Sequence, residues 1–126
     1  MDRRPVLRKT VWLGDTRKSM RDFPTAIQKM FGDELMVLQA GSKPKDAKPF
    51  TGAGGGIFEI ALRYQTNAYR TIVAVQLGED IYILHVFQKK STQGISTPQK
   101  DIDLIKQRYK EAKEIAHGRE KKNGRH

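Results

Sequence analysis

Six side chains in the middle and second half of the chain have the types that phosphate chemistry needs: Arg63, Arg70, Lys89 and Lys90 as cations, Glu59 as a carboxylate and His85 as an imidazole. Two guanidinium groups held close together can grip a phosphate bidentately and stabilise the charge that develops on it during transfer. Arg63 and Arg70 flank the segment Gln65 to Ala68, so two strands joined there would bring them near each other. A purely structural assignment stands beside that one. Glu59 lies four positions before Arg63, two residues away along one strand face, where the two can pair and leave Arg70 as a solvated strand-end charge. Lys89 and Lys90 are consecutive and project to opposite sides of a strand, so at most one shares the arginines' surface. Either could contact phosphate without reading sequence, or guard a strand edge against aggregation. His85 is in phase with Ile83 and Phe87; such a histidine is either a hydrogen-bonded core residue or, with an ordinary pKa of about 6.5, a general base. Phe87, Tyr64 and Tyr69 lie near the same strand ends with Gln88 among them, where aromatic rings could stack on unpaired bases or serve as core.

These residues are carried by Gly56 to Ser91, which reads as three consecutive strands. In Ile57 to Tyr64, Phe58, Ile60, Leu62 and Tyr64 point one way and Glu59, Ala61 and Arg63 the other, the pattern of a half-buried strand. Tyr69 to Leu77 is dense in Ile, Val and Thr on both faces, as a central strand would be. Gly78-Glu79-Asp80 supplies a short turn, and Ile81 to Phe87 is a third strand. Connections this short force an antiparallel meander.

Support for the meander comes from both sides in sequence. Val6 to Leu13 has the β-branched and aromatic character of a first strand. From Thr16 to about Ala40, Met20, Phe23, Ile27, Met30, Phe31, Leu35 and Leu38 recur at helical spacing. Pro24 interrupts that pattern, which predicts a short first turn, a break near Phe23 and a longer helix with Pro24 at its first position and Gly41 as its cap. Residues 42–56 combine Pro, Lys, Ser and Gly and read as an irregular, mobile connection; Gly52 to Gly56 lacks the Lys-Ser or Lys-Thr pair of a phosphate-binding loop. After a loop, Thr97-Pro98 starts a helix whose stripe is Ile102, Ile105, Tyr109, Ala112 and Ala116. Gly118 is expected to end it. Residues 1–117 thus form one α/β (α+β) domain, with a roughly four-stranded, mostly antiparallel sheet, N-terminal helices and one C-terminal helix, while residues 118–126 read as a basic, disordered tail.

With 126 residues there is enough chain for one core around one sheet. Lys and Arg number 24 against 14 Asp and Glu, a formal charge of +10, which points first to nucleic acid and second to an anionic membrane or acidic protein. The absence of cysteine removes disulfides, thiolate metal sites and cysteine nucleophiles, and the three histidines are too scattered for a metal cluster. No metal or cofactor is expected. No apolar run approaches the roughly 20 residues of a membrane span, and Met-Asp-Arg-Arg-Pro is unlike a secretory signal, so a cytoplasmic protein without membrane contact is expected.

The order of elements, and above all the runs GIFEIALRYQTNAYRTIVAVQ and ILHVFQKKSTQGISTPQKDIDLIKQRYKEAKE, resembles the RelE/ParE superfamily of bacterial toxins and most of all its phage-related, HigB-like branch. The second run is the more specific, because HxFxKKS leads into a Thr-Pro-started helix with an IxxIKxR pattern. The likeness covers about residues 6 to 116 and implies the RelE-like fold. It also implies the toxin of a type II toxin–antitoxin system: a ribosome-dependent endoribonuclease (mRNA interferase) that cuts mRNA without metal, through attack by the RNA 2′-hydroxyl. The partners it implies are mRNA, the ribosome and a helix-turn-helix antitoxin. On matching positions, Arg63 and Arg70 would stabilise the phosphate, Lys89 and Lys90 would supply a basic group, and Phe87 would stack on a base. Relatives carry lysines where this chain has Glu59 and Ala61, and a tyrosine or acid where it has Ser91, Thr92 and Gln93, so either Glu59 or His85 takes over proton transfer or cleavage is weaker than in those relatives. ParE-type members share the fold and inhibit DNA gyrase. That activity, or non-catalytic RNA binding by a phage-derived protein, is the alternative.

Overall fold

The computed structural model describes residues 7–89 and 97–123. In chain order the elements are β1 (Thr10–Trp12), α1 (Thr16–Arg21), α2 (Thr25–Gln39), β2 (Ala47–Pro49), β3 (Ile57–Tyr64), β4 (Asn67–Ala74), β5 (Ile81–Lys89) and α3 (Gln99–Asn123). They form an α+β domain around one mixed sheet of five strands in the order β1-β5-β4-β3-β2, one strand more than expected. The additional strand is β2, inside the stretch read as irregular. Its Ala47 and Pro49 pair antiparallel with Ile60 and Phe58 of β3. A proline is tolerated there because β2 is an edge strand and its missing N–H interrupts no ladder. At the other edge β1 is shorter than the expected 6–13 and runs parallel to β5, with Thr10 opposite Ile81. The Arg8 guanidinium fastens this edge by donating to the carbonyls of Val75, Glu79 and Asp80 around the β4–β5 turn.

The break predicted near Phe23 is present, but Pro24 precedes α2 as its N-cap instead of opening its first turn. Its ψ of 144° is extended, so the helix begins at Thr25, and the Pro24 carbonyl accepts the first helical bond from the Gln28 N–H at 3.0 Å. Gln28 also reaches back with Nε2 to the carbonyls of Arg21 and Phe23, satisfying groups that the end of α1 leaves free. At the other end of α2 the N–H groups of Gly41 and Ser42 donate to Leu38 and Val37, a Schellman cap at the expected glycine.

Helices cover both faces of the sheet. On one face Ile27, Phe31, Leu35 and Leu38 of α2 pack against Ile60, Leu62, Tyr69, Val73, Ile81, Ile83 and Val86. Full burial of a side chain such as Phe31 contributes about 1.5–3 kcal/mol. On the other face Ile105, Ala112 and Ala116 of α3 meet Ile57, Ile72, Ala74, Tyr82 and Leu84. Gly118 does not end α3, which continues to Asn123. A mid-helix glycine costs only about 1 kcal/mol, and Arg119, one residue on, forms an ion pair with Asp80. Residues 124–126 of the expected tail lie outside the described residues. The glycine-rich connection is packed against α3: Tyr109 donates its hydroxyl to the Gly55 carbonyl at 3.0 Å. Its ring lies over Gly54, where a Cβ would come within 2.3 Å of it.

Candidate functional site

The β3–β4 hairpin turns through Gln65 and Thr66, with Gln65 at φ 58°. The register then places Arg63 opposite Ala68 and Arg70 opposite Ala61. The two arginines are diagonal neighbours on one face, each facing an alanine, a relation that leaves the residues about 7–8 Å apart, with Cβ atoms somewhat closer and long side chains able to converge. β5 adds Phe87 opposite Arg70 and Lys89 opposite Ala68. The result is a shallow floor of two alanines with Arg63, Arg70, Lys89 and Phe87 around it, on the α3 side of the sheet, with Phe87 packed against the core cluster that α3 completes.

Glu59 lies on this face but pairs with Arg70, not with Arg63 as the sequence suggested. Arg63 is exposed and meets no carboxylate among the described residues. Arg70 is half-buried, and its Nε is buried without a partner among them. Loss of hydration, reinforced by the neighbouring Arg70 charge, pulls the Lys89 ammonium below the usual lysine range. Lys90 lies outside the described residues.

His85 is not in phase with Ile83. Ile72 pairs with His85 while Val73 pairs with Ile83, so Leu84 is an extra residue in β5, a β-bulge. Ile83 therefore faces α2, whereas His85 faces α3 and stacks on Phe87 at 4.6 Å with the rings 17° apart. Its Nε2–H donates to Asp101 Oδ1 at 2.8 Å. Nδ1 is buried without a partner among the described residues, so neither ring nitrogen is presented to a substrate on the arginine face. His85 supports Phe87 and anchors the first turn of α3.

Tyr64, Tyr69 and Gln88 face the opposite way from Phe87. Tyr69 is buried on the α2 side, edge-on to Phe23 at 4.8 Å, Tyr64 packs into the same cluster, and Gln88 is the register partner of Tyr69. They do not join Phe87 as base-stacking or polar groups. Alternation along β3 and β4 already assigned Tyr64 to the apolar face.

Two residues of the site's surroundings were not singled out from sequence. Asp101 has a sequence signal, an acidic residue in the first turn of a Thr-Pro-started helix. Arg108 is the arginine of the IxxIKxR pattern, but nothing there marks it as buried, since it occupies a place in the stripe between Ile105 and Ala112 where an apolar residue is expected. Its guanidinium donates to the Leu84 carbonyl at 3.1 Å and to Asp15 Oδ1 at 2.9 Å. That hydrogen bond, with the charge behind it, holds the Asp15 carboxyl below the usual range.

Among the described residues no group of three or more His, Asp or Glu side chains gathers as a metal site, and no helix is long and apolar enough to cross a membrane. Residues 18–110 match the family described as phage derived protein Gp49-like. No curated protein and no solved structure gives a match. The matched span runs from α1 into α3 and includes every residue of the arginine-bearing face, and the chain belongs to this phage-derived Gp49-like family, within the RelE/HigB-like toxin group.

Proposed function

We propose that this chain is the toxin of a type II toxin–antitoxin system and cleaves mRNA on the ribosome. The carrying observation is the register of β3, β4 and β5, which sets Arg63, Arg70 and Lys89 around two alanines with Phe87 beside them. A phosphodiester lying over Ala61 and Ala68 has a guanidinium group on either side, Arg63 and Arg70, and the Lys89 ammonium beyond Ala68, and a neighbouring base can stack on Phe87. In the reaction the RNA 2′-oxygen forms a bond to phosphorus and the bond from phosphorus to the 5′-oxygen breaks, giving a 2′,3′-cyclic phosphate and a free 5′-hydroxyl. A base must take the 2′-proton and an acid must supply one to the leaving oxygen. With both His85 nitrogens turned away, Glu59 is the acceptor on this face, once the substrate phosphate draws Arg70 from it. Lys89, whose ammonium gives up its proton more readily than an ordinary lysine, is the donor. The matching antitoxin would silence the protein by binding it.

Primer extension on mRNA after induction tests this reading. New 5′ ends in phase with codons are the expected result; intact transcripts with DNA double-strand breaks would show a gyrase poison instead. The Glu59–Arg70 pair, which spends one of the three cations on an internal partner, is the observation that favours a non-catalytic binder, and intact RNA with intact DNA would select it.

A further inference from the structure

Strand β5 alternates regularly only as far as Ile83. Continued without an extra residue, the alternation would turn His85, Phe87 and Lys89 toward α2 and give the arginine face Val86 and Gln88 in their place. Leu84, which has no register partner on β4, shifts the remainder of β5 by one and reverses that outcome. The bulge therefore decides whether Arg63 and Arg70 have a lysine and an aromatic ring beside them.

The unpaired residue is held from outside the sheet. Arg108, only 9% exposed, donates Nη1 to the Leu84 carbonyl and Nη2 to Asp15, so the bulge is fastened to both α3 and the corner between β1 and α1. The corner admits the guanidinium because residue 14 is glycine. At its φ of +54°, a Cβ there would lie 2.6 Å from Nη2. A buried guanidinium with few partners is costly, and this one is placed at the single point where β5 changes register.

We infer that Arg108 is a positioning residue that fixes the Leu84 bulge and thereby turns Phe87 and Lys89 onto the face of Arg63 and Arg70. The consequence for catalysis rests on that face being the cleavage site; the consequence for side-chain direction does not. The chain contains no cysteine, so pairs of introduced thiols report direction cleanly. Ala68 and Lys89 are directly opposed, and a strand pair of that kind lies within the span of a disulfide or of dibromobimane. With Arg108 present, the A68C/K89C chain should cross-link and the A68C/Q88C chain should not. Adding R108M, in protein shown to be folded by circular dichroism, should reduce the A68C/K89C yield to the A68C/Q88C level. Where R108M does not fold, R108K decides, because one ammonium cannot hold both the Leu84 carbonyl and Asp15. Cross-linking undiminished in the folded variant, or absent already with Arg108 in place, overturns the inference. In the cleavage assay R108M should be at least as impaired as K89A, with the double variant no worse than R108M alone. If the wild-type chain cuts no RNA, the thiol experiment still decides the role of Arg108 while the proposed activity falls.

Discussion

On the α2 side of the sheet, apolar side chains from β3, β4 and β5 extend from Val73 and Ile83 to Leu62 and Val86, and helices lie over them. On the α3 side the same strands carry Ile57, Ile72, Ala74, Tyr82 and Leu84 only where α3 covers them, and then change to Arg63, Arg70, Phe87 and Lys89. The switch falls where α3 begins, at the Asp101–His85 contact. One face is thus core along most of its length, reaching solvent only at the end that carries Tyr64, Asn67 and Gln88, while the other divides into a core half and an open half. The starting point of one helix decides how much sheet is left for a ligand.

Substitutions should separate the two faces. The largest effect is expected from Phe31→Ala on the closed face, which removes a fully buried ring and should cost about 3–5 kcal/mol in denaturant unfolding. Near-wild-type stability would show that face to be less tightly closed than the packing indicates. Next comes R63A/R70A on the open half, which should lower mRNA cleavage by about a hundredfold or more and abolish growth arrest. Retained toxicity would sink the site assignment.

A smaller effect sharpens the contrast from within the closed face. Glu34 is buried there against Asp46, and burial, followed by the Asp46 charge, raises its carboxyl above the ordinary range. A folded-state value above the unfolded one means that the stabilising contribution is present while Glu34 is protonated at low pH and is lost as pH rises through the folded value. Glu34→Gln should therefore melt higher than wild type at neutral pH, with the advantage shrinking on acidification; a lower melting temperature at pH 7 would contradict this. The smallest effect concerns Asp15, whose carboxyl is held low by Arg108 from an exposed position. That contribution is present above the unfolded value and fades as pH falls through the folded one. Asp15→Asn should cost under about 1 kcal/mol at neutral pH, and less in high salt.

Much of this division is legible in sequence. Period-two alternation in Ile57 to Tyr64 places Arg63 and Glu59 together and sets Tyr64 apart, and the helical spacing of Ile27, Phe31, Leu35 and Leu38 identifies the α2 packing face. What is not legible depends on contacts distant in the chain. The bulge at Leu84 has no glycine or other local mark, so simple alternation put His85 on the wrong side. Strand β2 is three residues of low strand preference that pair only because β3 presents an edge. Gly118 reads as a stop until Arg119 is seen to meet Asp80. The ion partner of Glu59 depends on the cross-strand register, which sets Arg70 within reach; distance along one strand suggested Arg63.

The clamp on the bulge also bears on when the protein can become active. Asp15 and Arg108 are 93 positions apart, and synthesis proceeds from the N-terminus with folding following by units. The β3–β4–β5 meander can pair as it emerges, but β5 acquires its clamp only after α3 has left the exit tunnel. A protein whose proposed target is the ribosome is thereby made by one without carrying its finished site until α3 has been synthesised and has folded back onto β5.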